Sequence, residues 1–114
     1  MDMQQDHFVC ILRCADGSLF GTLTTATPQQ CVAEYNSGNG SPFGIGRRPV
    51  TEAITSYAGE DRSAGLGLLF TIRNQSKSTK EKLVAGCPII RERVIIAGEE
   101  LAGRIRGPKN FLEE

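Results

Sequence analysis

A chain of 114 residues is one domain's worth of polypeptide, enough to bury a core and too little for a second folded unit. Its 13 lysines and arginines are balanced by 13 aspartates and glutamates, so no net field draws it to polyanions as it would a dedicated nucleic-acid module. The start Met1-Asp2-Met3-Gln4-Gln5-Asp6 is polar and no apolar run approaches the ~20 residues of a membrane span, which predicts a soluble, cytoplasmic protein with no membrane partner.

The first element is the apolar run Phe8-Val9-Cys10-Ile11-Leu12-Arg13-Cys14, hydrophobic on both faces except at Arg13, as a central strand covered on two sides would be. Asp16-Gly17 tolerates the backbone angles of a tight reversal, so residues 18 to 23 should return as the second arm of a hairpin. Thr27 before Pro28 reads as a helix cap and first helical residue, giving a helix from Pro28 to Asn36 that stops at Gly38. The glycine-rich stretch 39–46 is expected to be a surface loop, the kind of segment that carries sites more often than cores do.

Val50 to Tyr57 reads as a third strand. Glu60-Asp61-Arg62-Ser63 opens a second helix with Asp61 or Ser63 as its cap, and Leu66, Leu69, Phe70 and Arg73 follow at helical spacing. Gly65 and Gly67 each weaken that helix by ~1 kcal/mol relative to alanine, so tertiary packing must hold it. Ser78-Thr79-Lys80-Glu81 matches a capping box and places a short third helix before Gly86. The tail from Pro88 to Glu114 fits a broken helix as well as a strand pair around Gly98-Glu99-Glu100, and its apolar residues must cover either the domain itself or a second copy of the chain.

The cysteines, Cys10, Cys14, Cys31 and Cys87, contain no CxxC pair, so neither a zinc knuckle nor a secreted disulfide framework is indicated and reduced, mostly buried thiols are expected. His7, the one histidine, has no carboxylate or thiol at ligand spacing and reads as solvated.

The strand-turn-strand of residues 8 to 25, Ala33-Glu34-Tyr35-Asn36-Ser37-Gly38, Arg47-Arg48-Pro49 and Asp61-Arg62-Ser63, in that order and spacing, resemble the GIY-YIG nuclease superfamily, in its small stand-alone bacterial form. The resemblance covers residues 7–86. It implies an α/β (α+β) fold with a small three-stranded antiparallel sheet flanked by helices, preceded by a disordered 1–6 and followed by an apolar C-terminal extension, 87–114. It also implies a site for metal-dependent phosphodiester hydrolysis: two tyrosines to position water, an arginine and a histidine on the first helix, and a glutamate on the second to hold one divalent cation.

Laid on that pattern, the tyrosine positions hold Cys10 and Phe20, the arginine position Cys31, the histidine position Tyr35 and the glutamate position Leu69. Leucine cannot coordinate magnesium and phenylalanine cannot transfer a proton. Losing one charge-stabilising donor costs about 10²- to 10³-fold in rate, so losing all of them leaves no catalysis. The expectation is a catalytically inactive GIY-YIG-like domain with no metal and no cofactor, serving as a binding or interaction module, with the five positions converging on one vestigial hollow. Weak, salt-dependent nucleic-acid binding through Arg47, Arg48 and Arg62, joined by Arg73 and Lys77, and a homodimer through the tail are the partners considered. A thiol site at Cys10 and Cys31 is weighed against their serving as small buried filler. The alternative is a magnesium-dependent DNA endonuclease with a rearranged site recruiting Glu34, Glu52, Glu60 or Asp61.

Overall fold

The computed structural model describes residues 5–38 and 47–107; residues 1–4, the expected loop 39–46 and the tail end 108–114 lie outside the described residues. The chain runs β1 (His7–Arg13), β2 (Leu19–Thr24), α1 (Pro28–Ser37), β3 (Thr51–Gly59), α2 (Arg62–Arg73), α3 (Lys77–Val84) and α4 (Pro88–Arg106). The strands form one antiparallel sheet in the order β2-β1-β3, an α+β architecture with β1 in the centre.

Because β1 is covered on both sides, its alternate residues enter two separate cores. Val9 and Ile11 point to a layer completed by Leu69, Ile72, Leu83 and Val94 of α2, α3 and α4. Cys10, Leu12 and Cys14 meet Cys31, Tyr35 and Val50 beneath α1. The same position in the sheet buries His7, which is 8% exposed with its Nδ1 3.3 Å from the Gly59 carbonyl oxygen. The reading of His7 as solvated is therefore corrected: its pairing with Gly59 of β3 and the contact with that carbonyl hold the ring against the sheet.

Local signals set the ends of α1. Thr27 Oγ1 accepts from the Gln30 N–H and the Gln30 side chain accepts from the Thr27 N–H, both at 3.1 Å, a reciprocal capping box before Pro28. Gly38 closes the helix at φ 86°, a left-handed conformation that favours glycine. The Asn36 side-chain amide then binds both backbone groups of Val50, at 2.6 and 3.1 Å, tying the helix end to the approach to β3.

Asp61 caps α2 by accepting from the Ser63 N–H. For α3 the cap is Ser76, whose Oγ accepts from the Thr79 N–H at 3.1 Å, two residues before the serine that the capping-box pattern singled out. Ser78 falls inside the helix, and Glu81, the acid of that pattern, binds the Arg13 guanidinium through its carboxylate at 2.7 and 2.8 Å. This bidentate pair joins the end of β1 to α3 and holds the Glu81 carboxyl below its usual range, chiefly through the hydrogen bonds from Arg13. A depressed carboxyl contributes stability that is present above the unfolded-state value, near 4.3, and lost as pH falls through the folded one. We expect the stability difference between the native chain and Glu81→Gln to be constant near neutrality and to shrink in acid below about pH 4 in urea titrations, because the guanidinium stays charged throughout.

The tail resolves into one helix of 19 residues, uninterrupted at Gly98. It packs along α2 at a crossing where the Gly67 position abuts the backbone of Gly98 and Ala102. That contact explains why α2 carries glycine in its interior despite the propensity penalty. Among the described residues no helix is long and apolar enough to cross a membrane.

Candidate functional site

The α1 face of the sheet gathers four of the five positions picked out from the sequence. Cys10 lies opposite Thr22 on one side and Thr55 on the other, and Leu12 lies opposite Phe20. Since residues two apart on a strand share a face, Cys10, Phe20, Thr22 and Thr55 all look toward α1. From the helix, Cys31 and Tyr35, four residues apart, descend onto them as one ridge. Tyr35 donates its hydroxyl hydrogen to Thr22 Oγ1 at 2.9 Å, and its ring meets Phe20 edge-on with centroids 5.7 Å apart.

Cys31 hydrogen-bonds to the Cys10 sulfur, and this is the main influence that lowers the Cys10 thiol from its ordinary value to about 7; burial works against it and the Thr55 hydroxyl, 3.6 Å from Sγ, supports it. Cys31 is pushed upward by the same bond and by burial, so it is the partner that keeps its proton. Thr55 has one hydroxyl hydrogen to give, and the Glu52 carboxylate competes with the sulfur for it. Cys10 and Cys31 are 0% and 3% exposed, which closes this pair to reagents from solvent in the folded state. All four cysteines are free thiols.

Leu69 does not join this group. It lies in the opposite core with Val9, Ile11 and Ile72, where its Cδ1 would sit 3.3 Å from a Cβ at position 21. The expected five-residue hollow is thus corrected to four residues, because α2 packs on the other side of the sheet and its most apolar ridge turns inward. At the β2 edge Arg73 of α2 reaches past the strand: its Nε and Nη2 donate to the Gly21 carbonyl at 3.3 and 3.1 Å, and its guanidinium carbon lies 5.4 Å from the Phe20 ring centroid.

The arginines named as phosphate contacts are divided. Arg47 sits by the β1–β2 turn, where its carbonyl accepts from the Ala15 N–H and its Nε is 3.7 Å from Asp16 Oδ2. The Arg48 guanidinium lies against Gly38. Arg62 opens α2 at the other end of the sheet, with the seven-residue β1, roughly 20 Å, between the two places. Arg47, Arg48 and Arg62 therefore do not make one patch. Thr22 and Thr55 escaped the sequence reading; the two-residue spacing from Phe20 to Thr22 was the signal for the first, and the second required the register of β3.

Chemically the gathered surface offers two thiols, two threonine hydroxyls and a phenol bonded to one of them, with aromatic edges around. None of these is a hard anionic oxygen for a divalent cation.

No protein-family model matches the chain. It is 36% identical over 83 residues to a UPF0213 protein of Natronomonas pharaonis, covering 73% of this chain and 95% of that protein. A UPF0213 protein of Vibrio cholerae is 34% identical over 95 residues, 83% of this chain and 93% of the relative. A solution NMR structure of a UPF0213 protein from Bacillus halodurans matches with a TM-score of 0.47 at 26% identity, over 75% of this chain and 92% of that one. On the extent and identity of these sequence matches, the chain belongs to the UPF0213 family.

Proposed function

We propose that this chain is a catalytically inactive GIY-YIG-like domain that acts as a binding module, with weak nucleic-acid affinity. The observation that carries the reading is the convergence of Cys10, Phe20, Cys31 and Tyr35 beneath α1, a set of side chains that offers no carboxylate for a hard divalent cation such as magnesium and no cation for a phosphoryl charge. The endonuclease alternative would need its carboxylates to meet. Glu52 lies near the start of β3 beside Thr55, whereas Glu60 and Asp61 lie past its end, where Asp61 caps α2 and approaches Arg106 at 3.4 Å. Glu34 is on the exposed side of α1. Cation contacts to a nucleic acid would come from the Arg47 and Arg48 end or from the Arg62 end, not from one continuous stripe. Few simultaneous phosphate contacts mean low affinity.

Self-association through α4 is the second reading. Ile89 and Ile96, seven residues apart and so on one side of the helix, are 63% and 53% exposed.

Three measurements on one sample test the proposal. Magnesium or manganese at millimolar concentration should leave the melting temperature unmoved, since a ligand stabilises only by binding the native state. Branched and plasmid DNA should remain uncut, and DNA should be retained at low salt and released by about 0.2 M salt. Metal-dependent cutting with a thermal shift would establish the endonuclease; no retention at any salt would leave a module for protein partners alone. Sedimentation over a range of concentrations decides the α4 contact, a monomer throughout removing it.

A further inference from the structure

The face of the sheet opposite Cys10 and Tyr35 contains a cavity of about 130 Å³ between β1, β3 and the helices α2, α3 and α4. Val9, Ile11, Ile72, Leu83 and Val94 form its apolar walls, all at least nine-tenths buried. An engineered apolar cavity of about 150 Å³ stays dry and takes up benzene, so this one matches a group of about six carbons.

Arg91 stands at the rim, and no aspartate or glutamate lines the cavity. Among the described residues Arg91 has no ion pair. It also sits three residues after Pro88, the first residue of α4, where a cation opposes the helix dipole and an anion is favoured. An unpaired guanidinium against the dipole, above a pocket whose inner walls are Val9, Ile11, Ile72 and Val94, is placed to receive a negative charge attached to an apolar body. The edge strand β3 supplies Ile54 and Ser56, which pair with Ile11 and Val9 and share their face, Ser56 being the further polar group there.

We infer that this cavity is a binding site for a small monocarboxylate with a hydrocarbon part of about six carbons, its carboxylate on Arg91 and its tail between Val9, Ile11 and Val94. The inference does not depend on the reading of the α1 face, from which the sheet separates it.

The probes are hexanoate, acetate, hexan-1-ol and hexylamine, titrated into the whole chain by calorimetry with amide chemical shifts recorded in parallel. Hexanoate should bind saturably, about tenfold more tightly than the alcohol and with a larger margin over acetate and the amine. The shifts should concentrate at Val9, Ile11 and Val94 and spare Tyr35. Arg91→Gln, on an exposed helix position, should fold normally, lose the tenfold preference for the acid and keep the affinity for the alcohol. No saturable hexanoate binding, equal affinity for acid and alcohol, or an acid preference untouched by Arg91→Gln would each overturn the assignment.

Discussion

Gly67→Ala is expected to lower the stability of the fold by about 3 kcal/mol, at the upper end of what overpacking a tight contact produces. A Cβ at position 67 would run into the carbonyl oxygen of Gly98 and lie 2.8 Å from the backbone nitrogen of Ala102. Both obstacles are main chain, so no side-chain rotation relieves them and α4 itself must move away from α2. That movement would open the layer containing Leu69, Ile72 and Val94. Gly103→Ala is the control: the site is inside α4 with nothing within 4 Å, so the gain in helix propensity should stabilise by about 0.5 to 1 kcal/mol. Urea denaturation reads both as shifts of midpoint in opposite directions at unchanged slope. A Gly67→Ala midpoint within error of the native chain would mean that α4 is not held against α2 as described.

The second large effect is expected for Leu12→Ala, in the range of about 2 to 5 kcal/mol found for buried leucines. Leu12 is 0% exposed and points from the central strand into the α1 layer, among Cys10, Cys31 and Tyr35. The missing carbons would leave a void that strand neighbours on both sides prevent from collapsing. Because β1 contributes to both layers, the loss should appear as one transition shifted as a whole, with tyrosine emission from Tyr35 and far-ultraviolet dichroism coinciding. Two separated transitions would show instead that the α1 layer and the α2–α4 layer fold independently.

What could be read in advance followed the range of the interactions concerned. The Thr27 cap before Pro28, the cap of α2 at Asp61 or Ser63 and the two-sided apolarity of β1 depend on residues within a few positions of one another, and the residue types state them directly. The cap of α3 was missed at the same range, since Ser76 and Ser78 are both capping residue types and the helix Lys77–Val84 begins directly after the first of them. His7 was misjudged because its strand partner, Gly59 of β3, lies 52 residues away in the chain.

The candidate site divides along the same line. Cys10, Phe20, Cys31, Tyr35 and Leu69 were brought together on paper by the resemblance, and the hairpin register and the spacing of α1 place the first four on facing surfaces. Leu69 lies apart, because which side of the sheet a later helix covers is decided by the fit of its apolar ridge.

From its residue order alone this chain specifies three strands, the first two helices, a first strand apolar on both faces and the lack of a carboxylate, imidazole or guanidinium at Cys10, Phe20, Cys31 and Leu69. Only the folded molecule decided that Pro88–Arg106 form a single helix, that Gly67 is a contact and not merely a weakness, that Arg62 stands apart from Arg47 and Arg48, and that a cavity opens beside Arg91. The physical reason is one of distance: local hydrogen bonds and periodicity are written within a turn or a strand, whereas close packing is a property of surfaces that meet only after the chain has come together.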